Sequence, residues 1–229
     1  MTCILRFFFI GACTVISALG QMPMVTKVVN AASGDADLCP GVVATVIGSF
    51  SSKTTVKVGG KSAYVFYTGA TQLGIQIPVE LAAGATTLTV ASSAGRSQPF
   101  NLTLAPYAPA VFSAFKDARD KVISAQNPAH PGDSVTAIAT GLGPTSPPVA
   151  TGAVSSKAGP TTQIVSLTVG GKAAQVVFSG IPATRDLSLV GTYQVVFTVP
   201  ADASAGSQDV VLTLGGKSTK PGALSIALF

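Results

Sequence analysis

The sequence predicts an all-β protein built from two tandem β-sandwich domains. The stretch VGGKSAYVFYTG at Val58 to Gly69 recurs as VGGKAAQVVFSG at Val169 to Gly180. Gly, Pro, Ala, Thr and Val dominate a chain that is 10% charged and holds one Glu, Glu80, a composition poor in helix formers and rich in strand and turn formers. A length of 229 residues, 47% of them hydrophobic, suffices for two cores of ordinary domain size.

The first 20 residues are expected to be a secretory signal peptide. Arg6 precedes an apolar run from Phe7 to Leu19, and Ala18-Leu19-Gly20 has the small-x-small form of a cleavage site. The run is short for a stable membrane span, although a retained anchor stays the alternative. IGAC at Ile10 to Cys13 also has the form of a lipoprotein box, which would place a lipid anchor on Cys13. Export removes Cys3 and Cys13 and leaves Cys39, so no disulfide forms within the mature chain. Cys39 lies in DLCPG with no cation or His near it in sequence, and it is read as a packed small residue rather than a nucleophile.

Domain 1 is assigned to residues 21–105. Gly59-Gly60 separates two β-branched and aromatic runs, and a two-residue hairpin needs φ > 0 in its turn, which Gly adopts freely. GIQIPVELAAGATTLTV then reads as a strand stopped by Pro78, a turn at Gly84 and another strand. Residues 106–130 are expected to join the domains, with Val111, Phe112 and Phe115 packed against one or both rather than left in water. Domain 2, residues 131–229, repeats the pattern: Gly170-Gly171 is its hairpin, and Gln194, Pro200 and Gly206 keep the spacing of Gln72, Pro78 and Gly84. The halves differ by an extra stretch in the second, IPATRDLSLVGTY at Ile181 to Tyr193. An insertion that keeps the strands on either side intact must project from a sandwich rim, so Arg185, Asp186, Leu187, Leu189 and Tyr193 form the candidate partner-binding loop. The alternative is that Leu187 and Leu189 close an open end of the sandwich.

VVNAAS at Val28 to Ser33, PGVVATVIG at Pro40 to Gly48, APAVF at Ala108 to Phe112 and, above all, NPAHPGDSVTAIATGLGPTSPPVATG at Asn127 to Gly152 carry a resemblance. The chain resembles the uncharacterised C-terminal domain of acidobacterial (Solibacter-type) secreted proteins, and each half is similar to the IPT/TIG class of Ig-like domains. The resemblance implies export and tandem Ig-like sandwiches, and it brings no activity or catalytic residues with it. Gly74 and Val196 stand where that family pattern has Asn.

Catalytic and metal chemistry find little to work with. The only His, His130, has Asp133 as its nearest acid in a proline-flanked loop, a setting more typical of a solvated side chain than of a triad. One His and one mature Cys do not fill a zinc site, and DAD at Asp35 to Asp37 or DARD at Asp117 to Asp120 offers two carboxylates where calcium takes six or more oxygens. TGLGPT at Thr140 to Thr145 lacks the Lys and the helix of a phosphate loop. The basic residues are scattered singly, without the clustered face that nucleic acid requires. The expectation is therefore a secreted, extracellular or periplasmic, non-enzymatic structural or adhesive module without cofactor, catalytic residue or metal. It would bind a protein or polysaccharide and have no membrane span after signal cleavage. The alternative is a glycan-active extracellular enzyme, or its accessory domain, with His130 and two carboxylates in a deep cleft between the halves.

Overall fold

A computed structural model describes residues 21–51 and 53–229; the expected signal peptide, with Cys3 and Cys13, lies outside the described residues. Among these there is no α-helix, and the chain is built of short antiparallel strands. The first half holds β1 (Met24–Asn30), β2 (Val43–Ser49), β3 (Thr55–Val58), β4 (Lys61–Ser62), β5 (Tyr64–Thr68), β6 (Gln72–Gln76), β7 (Gly84–Ser92), β8 (Gly95–Arg96) and β9 (Phe100–Leu104). They form two sheets, β1-β2-β6-β5 and β4-β3-β7-β8, with β9 also paired to β7. Alternation sends Leu73 and Ile75 of β6 inward to meet Val46, Leu88 and Val90, all fully buried.

The second half repeats this order with β10 (Ala110–Asp117), β11 (Ser134–Thr140), β12 (Gly159–Pro160), β13 (Val165–Val169), β14 (Lys172–Ile181), β15 (Tyr193–Thr198), β16 (Gly206–Leu214), β17 (Lys217–Ser218) and β18 (Ser225–Leu228). Its strands join in one path, β10-β11-β15-β14-β13-β16-β17, because β14 is continuous. Lys172 to Ala174 pair with β13, and Gln175 to Gly180 pair with β15. In the first half the same strand is interrupted at Ala63, so that β4 serves one sheet and β5 the other. Val135, Leu167, Val195, Phe197 and Leu212 fill a separate second core. The fold is thus all-β and Ig-like, two layered sandwiches in tandem.

The expected Gly-Gly corners are present. Gly59 and Gly60 have φ +55° and +78°, and Gly170 and Gly171 have +56° and +78°, the conformation a tight two-residue hairpin demands. Residues 106–130 depart from the expectation of a joining segment. Ala110 to Asp117 form β10, the first strand of the second unit, paired with β11 as β1 is with β2. Val111 and Phe115 are buried in the second core, where Phe115 meets Phe197 edge-on at 6.2 Å. Cys39 is fully buried, its thiol pushed up to about 12 by desolvation.

Candidate functional site: the junction and its rim loop

Strand ends supply the side chains that hold the halves together. Asn30 closes β1 and is 1% exposed; its amide donates to the carbonyl of Ala108 at 3.2 Å. Thr140 closes β11, and its hydroxyl accepts from the Val43 amide at 2.9 Å while donating to the Gly191 carbonyl at 3.1 Å. At the end of β6, buried Gln76 accepts from the Gly152 amide at 2.8 Å. Thr151 reaches back to the first half, donating its hydroxyl to Glu80 at 2.7 Å and accepting from the Val79 amide at 2.9 Å. The Thr151 hydroxyl holds the Glu80 carboxyl below its ordinary range. Across the junction Lys220 pairs with Asp35 at 2.7 Å, lowering the carboxyl and raising the ammonium. Buried polar groups satisfied across an interface fix its geometry, since parting them leaves each unpaired.

Two clefts flank these bonds. One, of about 190 Å³, lies between Asp35 and Asp37 on one side and Lys217 and Lys220 on the other, with Tyr107 in its wall. The other, of about 240 Å³, is mostly apolar, lined by Val79, Leu81, Pro106, Pro148, Ile181 and Tyr193. Both ends of the inserted loop, Ile181 and Gly191, reach the edge of this second cleft.

Within the loop, Asp186 caps a single 3₁₀ turn, Leu187–Leu189, by accepting from the Ser188 amide at 2.9 Å. That bond holds the Asp186 carboxyl low. Arg185 and Asp186 are exposed, Leu187 is 56% exposed and Leu189 is half-buried. Tyr193 is a correction to the sequence-based set: it opens β15, is 4% exposed, and donates its hydroxyl to the Gly143 carbonyl. Burial pushes that phenol up, and its ring faces the cleft and the core instead of a partner. The exposed face of the loop therefore consists of Arg185, Asp186 and Leu187.

His130 lies in neither junction cleft. It sits in a shallow hollow of the second half with Asp117 and Asp133, largely exposed, its Nδ1 3.4 Å from Asp133. Asp133 is engaged by the His130 amide, and Asp117 by the Arg119 and Lys121 amides. Both carboxylates thus organise turns, and the arrangement expected of the enzyme alternative, His130 with two carboxylates in a cleft between the halves, is not formed. Among the described residues no three His, Cys, Asp or Glu side chains gather as a metal site, and no helix is long and apolar enough to cross a membrane. Sequence reading missed Asn30, Gln76, Thr140 and Thr151. The one signal given by Asn30, Gln76 and Thr140 was a polar residue at the end of an apolar strand, whereas Thr151 lies in a turn and gave none.

No family model and no curated protein matches the chain. Among solved structures it is similar to the SGBP-B of the Bacteroides ovatus mixed-linkage glucan utilization locus, solved with a mixed-linkage heptasaccharide. The identity is 17% over 92% of this chain and 48% of that one, with a TM-score of 0.42. It is also similar to the SGBP-B of a Bacteroides uniformis xyloglucan utilization locus, at 15% identity over 91% and 49% of the two chains and a TM-score of 0.29. The tandem Ig repeats of Dlar align at 10% identity over 91% and 95%, with a TM-score of 0.23. The chain spans about half the length of the first of these, and the fold stands on its own sheet pairing.

Proposed function

We propose that the protein is an extracellular, non-enzymatic binding module, exported by its N-terminal segment, that recognises a protein or polysaccharide partner. The observation that carries this reading is the inserted loop. It holds Arg185, Asp186 and Leu187 in solvent, beside the apolar cleft, on a frame tied across the junction by buried hydrogen bonds. A mixed charged and apolar set on a rigid rim suits recognition, since little ordering entropy remains to be lost when a partner docks. Polar atoms at the junction are engaged with one another, which favours a supporting role for them over a catalytic one.

Deleting the exposed tip of the loop, residues 185–188, while keeping Ile181, Gly191 and Tyr193 in place, tests the reading. The shortened protein is expected to lose capture of its extracellular partner while its melting temperature stays unchanged. Equal capture by both forms would count against the loop, and a clear fall in melting temperature would assign the loop to the fold instead.

A further inference from the structure

The outer face of the sheet β1-β2-β6-β5 carries three neighbouring aromatic side chains. Leu73 and Ile75 of β6 point into the first core, so Gly74 and Gln76 lie on the opposite face, where Tyr67 covers Gly74 and the second half covers Gln76 through Gly152. The strand register sets Tyr64 opposite Gln76 and Tyr67 opposite Gly74, with Phe66 the extra residue where the register shifts. The Tyr67 ring covers Gly74 so closely that a Cβ at that glycine would stand 2.3 Å from Tyr67 Cε1. Tyr64 meets Phe66 edge-on at 5.1 Å, and its ring lies where a Cβ on Gly152 would be 2.7 Å away. Tyr67 is 50% exposed, and Tyr64 and Phe66 are half-buried. Beside Tyr64 an open hollow is lined by Lys61, Ser62, Glu80 and Thr151.

We propose that this face binds a neutral polysaccharide, with Tyr67 and Phe66 stacking on sugar rings and Lys61, Ser62 and Glu80 taking hydroxyl groups at the Tyr64 end. The proposal rests on the binding-module reading and names a ligand class for it, at a surface separate from the rim loop. A pyranose has an apolar C–H face and a rim of hydroxyls, so it needs both a π-surface and convergent donors and acceptors. The negative face of an aromatic ring attracts C–H hydrogens, while a carboxylate, an ammonium and a hydroxyl beside it supply acceptors and donors. Tyr64 and Tyr67 stand opposite Gln76 and Gly74, two residues apart on β6, so the bulge sets them roughly 7 Å apart along the strand, about the length of one sugar ring. Lys61 and Glu80 are the two charged residues that line the hollow and are opposite in sign, so the hollow itself carries no positive excess to favour an acidic polymer. The second half lacks the feature: its counterpart residues are Gln175, Val177 and Phe178, with Val196 in place of Gly74.

Affinity electrophoresis of the full chain, in gels containing mixed-linkage β-glucan, xyloglucan, galactomannan or polygalacturonate, tests the proposal. Retardation is expected in at least one neutral gel and not in polygalacturonate. Tyr67→Ala should weaken the apparent affinity by about tenfold, Tyr67→Phe should keep it, and Val177→Ala on the second half should leave it unchanged, with melting curves showing each variant folded. Failure of all neutral gels to retard the protein overturns the proposal, as does preference for polygalacturonate or wild-type affinity in Tyr67→Ala. The loop-shortened protein should still bind the glycan. Capture of a protein partner without glycan retardation would sink this inference and leave the binding-module reading standing; neither capture nor retardation would sink both.

Discussion

Gly60 stands at φ +78° with open space where a Cβ would project, so a side chain there meets backbone strain and no steric obstacle. Gly60→Val is expected to destabilise the protein by about 1–3 kcal/mol, and Gly60→Asn by much less, since Asn tolerates the left-handed region. Equal melting temperatures for the valine variant and wild type would remove the hairpin assignment. Cys39 makes a different test: a fully buried thiol raised to about 12 should resist alkylation at pH 8 until the chain unfolds. Rapid labelling of the native protein would contradict its burial. Glu80 adds a pH dependence. Its folded pKa is depressed below the ordinary carboxylate value by the Thr151 hydroxyl, so its contribution is present above the unfolded pKa and is lost as pH falls through the lower folded value. Asp35, depressed by Lys220, acts in the same direction. The melting-temperature difference between wild type and Glu80→Gln is therefore expected at pH 7 and should shrink below about pH 4; a constant difference would detach Glu80 from the junction.

At the scale of elements, what could be read from sequence was what local chemistry dictates. The Gly-Gly corners recur in both halves, and Gln72, Pro78 and Gly84 recur at matched spacing as Gln194, Pro200 and Gly206, because turn geometry restricts residue type locally. β10 is not legible as a strand because its register shifts between Val111 and Phe115, which breaks the alternation that marks a strand. Its place in the second core gives a prediction: Phe115→Ala should cost about 3–5 kcal/mol in urea unfolding, like other buried Phe truncations. A loss under about 1 kcal/mol would return the segment to the role of a connector. In the candidate loop, Arg185, Asp186 and Leu187 were legible because insertions project outward. Tyr193 was not, since its burial depends on Gly143, which lies 50 residues away. The polar junction was illegible for the same reason: Thr140 meets Val43 across 97 positions, and nothing in either segment alone marks the pair.

For the whole molecule, the two sandwiches keep separate cores and are joined by polar contacts on both sides of the chain crossing, Glu80 with Thr151 and Asp35 with Lys220. The buried Gln76 and Thr140 add hydrogen bonds between the halves, to Gly152 and Val43. Such a junction should hold one orientation, because separating the halves would leave several buried donors and acceptors without partners. Both candidate surfaces depend on this frame: the rim loop closes against the first half at the apolar cleft, and Tyr64 rests on the second half at Gly152. The distance between spin labels on Lys57→Cys and Ser166→Cys, exposed positions on opposite halves, tests the fixed frame most directly. A single narrow distribution that broadens in Gln76→Ala with Thr140→Val is the predicted result, and a distribution already broad in the otherwise unaltered protein would contradict it.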